Sequence, residues 1–212
     1  MTTSTSPARA RILAAIRQHA VPPAELPNLA GDWITFPDPV AKFSEVLTFV
    51  GGKPLVATDR AELEAQIRDL AVMQSPEGAA LPKVICTVEG LPFGNVDFAK
   101  VLDPHHLEDI EVAILPGEFA VAENGAVWVT DRVVPHRAIY FIAQHVVLVV
   151  RRADLLDNLH QAYDRLCGSE HAFDQPGYGL FVSGPSKTAD IEQSLVIGAH
   201  GPRSMTVLLL DA

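Results

Sequence analysis

Apolar residues follow two different spacings along this chain. In some segments they recur every three or four residues, as on one face of a helix. In others they form short uninterrupted runs, as in buried strands. The predicted helices are residues 8–20, 40–50, 59–71 (capped by Asp59), 154–167 and 188–197. The predicted strands are residues 54–58, 83–87, 112–115, 119–122, 126–130, 138–142, 146–150, 180–183 and 205–210.

The order of these elements predicts an α/β fold. The early strands alternate with helices and are apolar throughout, which is typical of a parallel sheet covered on both faces. The middle of the chain has several consecutive strands, which favours some antiparallel pairing. We therefore predict a three-layer α/β/α domain with a mixed, largely parallel sheet.

The N-terminal segment is predicted to stand apart from this domain. Residues 21–38 contain four prolines and are typical of an extended linker. The predicted organisation is an N-terminal helical arm and Pro-rich linker over residues 1–38, followed by the α/β domain over residues 39–212.

Composition excludes some functional classes. The formal net charge is −10, and no Lys/Arg-rich tract is present, so nucleic-acid binding is not expected. There is no apolar run of about 18 residues, the length a membrane-spanning helix needs. The first residues do not resemble a secretory signal. The cytoplasm is the expected location.

The cysteines argue against a redox centre within this chain alone. Cys86 lies in a predicted strand and Cys167 near the end of a predicted helix, and four-cysteine spacing is absent. His105 and His106 lie among acidic residues, but their spacing is loose for zinc. We expect no metal and no cofactor in the chain by itself.

The polar segment after the strand at 180–183 is the strongest candidate site. A Gly/Pro/Ser turn precedes the helix predicted at 188–197, which Ser186 or Thr188 could cap. Backbone N–H groups, hydroxyls and one lysine at such a turn suit a small anionic ligand. The candidate ligand-binding residues are Ser183, Gly184, Ser186, Lys187, Thr188 and Asp190.

Three further residues are candidates for chemistry. Glu123 follows an apolar strand and precedes the turn signal Asn124-Gly125, so it could be a general base or nucleophile, or only a polar turn residue. His200 precedes Gly201 in a rigid turn and could be an acid–base group or a structural histidine. The same two interpretations apply to His136.

Three motifs resemble one known family. The segment SGPSKTADIE, followed by LVIGAHGP, closely resembles the C-terminal signature of the lactate utilization protein C family, the LUD-domain proteins. AVAENGAVWV at 120–129 and VPHRAIYFIAQHVVLVV at 134–150 resemble two further parts of the same family. The resemblance covers roughly residues 40–212.

The resemblance implies a fold and a function. The fold is that of ribose-phosphate isomerases, glucosamine-phosphate isomerases and CoA transferases, in which ligands lie at the carboxyl ends of the strands. The implied function is an accessory or small-acid-binding component of L-lactate oxidation to pyruvate, acting with iron–sulfur oxidoreductase companion proteins.

Two alternatives remain open at this point. The AENG segment also resembles the Glu-Asn-Gly stretch of some CoA transferases, whose glutamate is acylated. The chain could therefore be a stand-alone sugar-phosphate isomerase or CoA-transferase-like enzyme that uses Glu123. It could also be a scaffold whose pocket has lost its function.

Overall fold

The computed structural model describes residues 7–21, 24–25, 27–75, 80–168, 177–189 and 194–211. Contacts divide the chain into two units, Met1–Asp32 and Trp33–Ala212. The first unit contains one described helix, α1 (Pro7–Gln18), and every element named below belongs to the second.

The second unit contains both helices and strands. Its helices are α2 (Pro39–Phe49), α3 (Arg60–Arg68), α4 (Ile139–Ile142) and α5 (Leu159–Gly168). Its strands are β1 (Lys53–Ala57), β2 (Val84–Cys86), β3 (Val112–Pro116), β4 (Phe119–Val121), β5 (Ala126–Thr130), β6 (His145–Arg151), β7 (Leu155–Leu156), β8 (Gly179–Val182), β9 (Lys187–Thr188), β10 (Val196–Ile197) and β11 (Ser204–Leu210). Short 3-10 helices lie at Ala71–Met73, Phe98–Lys100, Pro104–Leu107 and Arg152–Asp154.

The central sheet is fully parallel. Its five strands have the order β1-β11-β6-β3-β2. Alternate side chains of β6 and β11 enter two different cores, because successive strand residues point to opposite faces. Val207 and Leu209 join the core that contains Phe43 and Leu47 of α2. Leu208 and its same-face neighbours join the core of α3.

A second sheet carries the consecutive strands from the middle of the chain. Its order is β7-β4-β5-β8, with β4 and β8 antiparallel to β5 and β7 parallel to β4. Phe119, Trp128 and Phe181 pack on this sheet against α5. The α/β class and the mostly parallel central sheet are thus confirmed, while the antiparallel pairs form a sheet of their own.

The segment Trp33–Phe36 contacts the start of α5. The backbone N–H of Phe36 donates to Asp157 Oδ1 (2.9 Å), and Asn158 Nδ2 donates to the carbonyl of Ile34 (2.7 Å). Trp33 stacks on His160 with ring centroids 3.5 Å apart. Residues placed in the linker by their sequence therefore contact α5.

The strand predicted at 138–142 is wrong. The β-branched and aromatic residues of this segment favour a strand, but they form the single turn α4. Ile139, Tyr140 and Ala143 are buried, which is helical spacing, and Tyr140 Oη donates to the carbonyl of Thr130 (2.9 Å). Burial between the two sheets outweighs the local preference.

The helix predicted from Asp154 begins five residues later, at Leu159. Asp154 is instead buried, and its carboxylate accepts from Arg151 Nε (2.6 Å) and from a terminal nitrogen of Arg165 (2.8 Å). Burial alone would raise the pKa of this carboxyl, but the two arginines lower it overall. The next two residues, Leu155 and Leu156, form β7 and pair with β4 instead of continuing a helix.

The helix predicted at 188–197 is also wrong, because the described ends of this segment pair as antiparallel strands. Thr188 pairs with Val196 and Lys187 with Ile197. The Ser186 N–H donates to the carbonyl of Pro202 (2.9 Å), so it is bonded to a distant residue and not to a helical turn. Asp190 lies outside the described residues.

Among the described residues, no helix combines the length and the apolar character that crossing a membrane requires.

Candidate functional site

The two halves of the C-terminal signature pack against each other. The carbonyl of Ser186 accepts from the N–H of Gly198 (2.9 Å), and a Cβ on Gly201 would lie 2.9 Å from Ser186 Cβ. The Arg203 N–H then donates to the carbonyl of Gln144 (2.7 Å). The second half of the signature therefore lies at the amino ends of β6 and β11, whereas its first half directly follows the carboxyl end of β8.

Motif glycines bring the AENG turn, the signature turn and the end of α2 together. Gly125 has φ +63° and Gly184 has φ +75°, a region that favours glycine. A Cβ added to Gly125 would lie 2.9 Å from Leu47 N, and a Cβ added to Gly184 would lie 2.5 Å from Val50 O. Ser183 Oγ donates to the carbonyl of Asn124 (2.8 Å). This meeting point is called the signature junction.

Glu123 lies at the edge of the signature junction and is exposed. Its Oε2 accepts from the backbone N–H of Leu159 (2.9 Å), the first residue of α5. A carboxylate at a helix N-terminus satisfies an otherwise unpaired N–H and opposes the helix dipole. This contact gives Glu123 a capping role, and catalysis by Glu123 stays a prediction.

The predicted ligand residues of the signature differ in exposure. Gly184 is buried, Ser186 and Thr188 are half-buried, and Lys187 is exposed. A Cβ added to Gly51 would lie 3.9 Å from Lys187 Cε, so the aliphatic part of the Lys187 side chain packs beside the end of α2. The described members of this set are close in sequence, and Lys187 and Thr188 pair with β10 where a helix was predicted.

The two candidate histidines lie in different environments. His200 is exposed in the turn before β11. His136 is half-buried, hydrogen-bonds through Nε2 to the carbonyl of Val101 and packs near Phe98. These contacts favour the structural interpretation of His136.

Sequence reasoning missed a polar pair at the amino ends of the central strands. His145 and Ser204 are register partners, and His145 Nδ1 lies 2.8 Å from Ser204 Oγ. Partial burial lowers the pKa of His145, Arg203 lowers it further, and Glu111 opposes this effect. A signal was present in the sequence, since Gln144 and His145 interrupt an apolar run.

Metal-binding chemistry has little support among the described groups. No three His, Cys, Asp or Glu side chains within the described ranges are grouped as a metal site requires. Burial raises the pKa of the Cys86 thiol, which disfavours the thiolate that binds metals.

A central parallel sheet with helices packed on both of its faces defines an α/β domain. The sequence profile of the LUD domain matches residues 94–210, more than half of the chain. The chain belongs to the LUD domain family.

Sequence similarity to named relatives covers about half of this chain. Lactate utilization protein C of Bacillus pumilus strain SAFR-032 is 28% identical over 105 residues, which are 49% of this chain and 44% of that protein. The protein of the same name from Geobacillus thermodenitrificans strain NG80-2 is 30% identical over 104 residues, which are 49% of this chain and 43% of that protein. Each match thus spans less than half the length of the relative.

A solved structure supports the fold. A DUF162 family protein from Deinococcus radiodurans superposes with a TM-score of 0.57 at 15% identity. The match covers 81% of this chain and 96% of that one. At this identity the similarity shows the fold alone.

Proposed function

We propose that this chain is a lactate-utilization component, an accessory or small-acid-binding subunit of L-lactate oxidation to pyruvate. Its companions in this proposal are iron–sulfur oxidoreductases, which carry the electrons. The observation that carries the proposal is the signature junction, where the AENG turn and the signature turn meet at the end of α2, with Lys187 beside Gly51. The names of the relatives support the pathway.

The ligand in this proposal is a small carboxylate bound beside the signature turn. Lys187 supplies a point charge, and Ser186 supplies a hydroxyl. Ser183 holds the two motifs in register through its bond to Asn124. Because the predicted helix dipole is absent from the described part of this turn, anion binding in this proposal depends on the charge of Lys187 and the hydroxyl of Ser186.

The alternative is a stand-alone isomerase or CoA-transferase-like enzyme using Glu123. Exposure of the carboxylate leaves it accessible, which favours this alternative. Its bond to Leu159 uses one carboxylate oxygen for capping, which opposes it. A variant at this position separates the two functions.

The test is growth on L-lactate of a deletion strain of the source organism that carries single variants. Lys187→Gln should abolish growth on L-lactate while leaving growth on glucose and the thermal midpoint unchanged. Lys100→Gln, an exposed lysine paired with Asp97, is the matched control. Normal growth of the Lys187→Gln strain on lactate would contradict the proposal.

Copurification tests the partners. A tagged chain isolated from lactate-grown cells should bring down iron-containing oxidoreductases, and the recovered iron should fall when the cells grow on glucose. Recovery of the chain alone under both conditions would contradict the proposed assembly.

A further inference from the structure

Most cations of the second unit are neutralised, and the few exceptions share one location. Within Trp33–Ala212, most Lys and Arg side chains pair with a carboxylate or stack on an aromatic ring. Lys53, Lys187 and Arg203 form no ion pair with a described carboxylate. In a chain of net charge −10, cations that have no ion-pair partner among the described residues and lie at one place need an explanation.

These three residues surround the amino ends of the central strands. Lys53 begins β1 and Arg203 immediately precedes β11, the neighbouring strand. Because Lys53 is the register partner of Thr206, its Cα lies about 10 Å along the sheet from that of Arg203. Lys187 reaches the end of α2 just before β1. This edge of the sheet is called the amino rim.

One face of the amino rim carries a row of polar side chains. Three apolar residues of the α3 core identify this face: Leu55, Val147 and Leu208. Strand side chains alternate, so Lys53, His145 and Ser204 point to the same side at the beginning of their strands. The 2.8 Å contact of His145 with Ser204 fixes the imidazole within this row.

Arg203 completes the group from the signature side. Its stem lies against Gly198, where a Cβ would come within 2.6 Å of Arg203 Cγ, so the glycine leaves room for it. Gly198 also has φ +74°, which a side chain rarely adopts. Arg203 is close enough to His145 to lower its pKa, so its charge acts on this row.

We propose that the part of the amino rim formed by Lys53, His145, Arg203 and Ser204 is a second anion site, distinct from the carboxylate site at Lys187 on the same edge of the sheet, and that it binds a phosphate group. Lys53 and Arg203 supply two positive charges, matching a dianion better than a monocarboxylate. Ser204 Oγ and His145 add hydrogen-bonding groups for the remaining phosphate oxygens. The phosphate belongs to free inorganic phosphate or to a small phosphate monoester.

NMR of the full chain tests this site with defined probes. The imidazole signals of histidines are followed while inorganic phosphate, glycerol phosphate or L-lactate is added at fixed ionic strength and pH. If the site accepts any phosphate group, inorganic phosphate and glycerol phosphate should both shift the His145 signals saturably. L-lactate should bind there at least about 10-fold more weakly. Selective binding of one phosphate source identifies which of the two the site takes.

Variants separate a built site from diffuse charge attraction. Lys53→Gln and Arg203→Gln should each weaken phosphate binding by about 10-fold, and Ser204→Ala by a smaller factor. Lys100→Gln, away from the rim, should have no effect. Each variant must keep the wild-type thermal midpoint, and Arg203→Lys retains the charge if Arg203→Gln does not fold.

Two results would overturn the inference. One is the absence of saturable phosphate shifts at His145, and the other is equal weakening by Lys53→Gln and Lys100→Gln. Neither result tests the lactate proposal, which is tested by the growth of the Lys187→Gln strain on L-lactate. Loss of growth in that variant without phosphate binding at the rim would leave the lactate function standing alone.

Discussion

At the scale of single residues, the structure gives Glu123 a physical role that its sequence position only partly indicated. The motif around Glu123 predicted a tight turn, and Asn124 Oδ1 does accept from Ala126 N (3.1 Å) in that turn. The hydrogen bond from the Leu159 N–H to the Glu123 carboxylate could not be predicted, because it joins residues 36 positions apart. Long-range capping leaves no local pattern in the sequence.

Substitution of Glu123 should reveal this cap. Glu123→Ala removes the acceptor and should lower the free energy of unfolding by about 1 kcal/mol. Glu123→Gln keeps an oxygen acceptor and loses only the charge beside the helix dipole, so it should cost about half as much. Urea denaturation measures both variants.

Growth on lactate then decides between the two functions of this residue. Under the accessory-subunit proposal, Glu123→Gln supports normal growth. A folded Glu123→Gln protein that fails to support growth would favour the enzyme alternative and count against a purely structural glutamate.

Protonation of His145 should destabilise the fold. Its native pKa is below the ordinary 6.5 because of burial and Arg203, so the unfolded chain binds a proton more readily. Stability from this residue is therefore complete above about pH 6.5 and decreases as pH falls toward the lowered native value. The slope is at most about 1.4 kcal/mol per pH unit for one proton.

Denaturation at several pH values checks this sign. The wild type should lose more stability than His145→Gln between neutral and mildly acidic pH. Parallel curves for the wild type and His145→Gln would show that His145 does not contribute to the pH dependence.

At the scale of elements, helices and strands whose contacts are local or repetitive were predictable. Asp59 caps α3 as expected, with Oδ1 accepting from Glu62 N (2.8 Å), and the apolar runs form the central strands. The wrong elements, 138–142 and 188–197, are those whose conformation depends on distant partners. The backbone of Ser186 bonds to Gly198 and Pro202, which no local propensity reports.

The glycines of the signature junction should be intolerant of any side chain. At Gly184 an alanine would have an unfavourable φ and a Cβ only 2.5 Å from Val50 O. We expect Gly184→Ala to lower the free energy of unfolding by at least about 2 kcal/mol.

A second glycine provides the control for this effect. Gly168 ends α5, and a Cβ added there would have no heavy atom of the described residues within 4 Å, so Gly168→Ala should change stability by less than about 1 kcal/mol. Chemical denaturation measures both variants. A Gly184→Ala protein as stable as Gly168→Ala would show that the close packing of α2 on the signature turn is not required.

At the scale of the whole molecule, the α/β class could be predicted and the position of the signature could not. Alternation of apolar strands and helices determines the parallel sheet. Which end of the sheet a loop reaches depends on the direction of the hairpin that carries it. The signature returns to the amino rim because its second half leads directly into β11 at Ser204.

The isolated chain should carry no iron–sulfur cluster. Such clusters need about four cysteine thiolates, and this chain has two cysteines, Cys86 in the central sheet and Cys167 in α5. The purified chain should therefore be colourless, with iron well below one atom per chain by elemental analysis. The Cys86→Ser, Cys167→Ser double variant should match it. Stoichiometric iron in the wild-type chain that disappears in this variant would show that the chain holds a redox centre itself, and would remove the reason for assigning electron transfer to partner proteins.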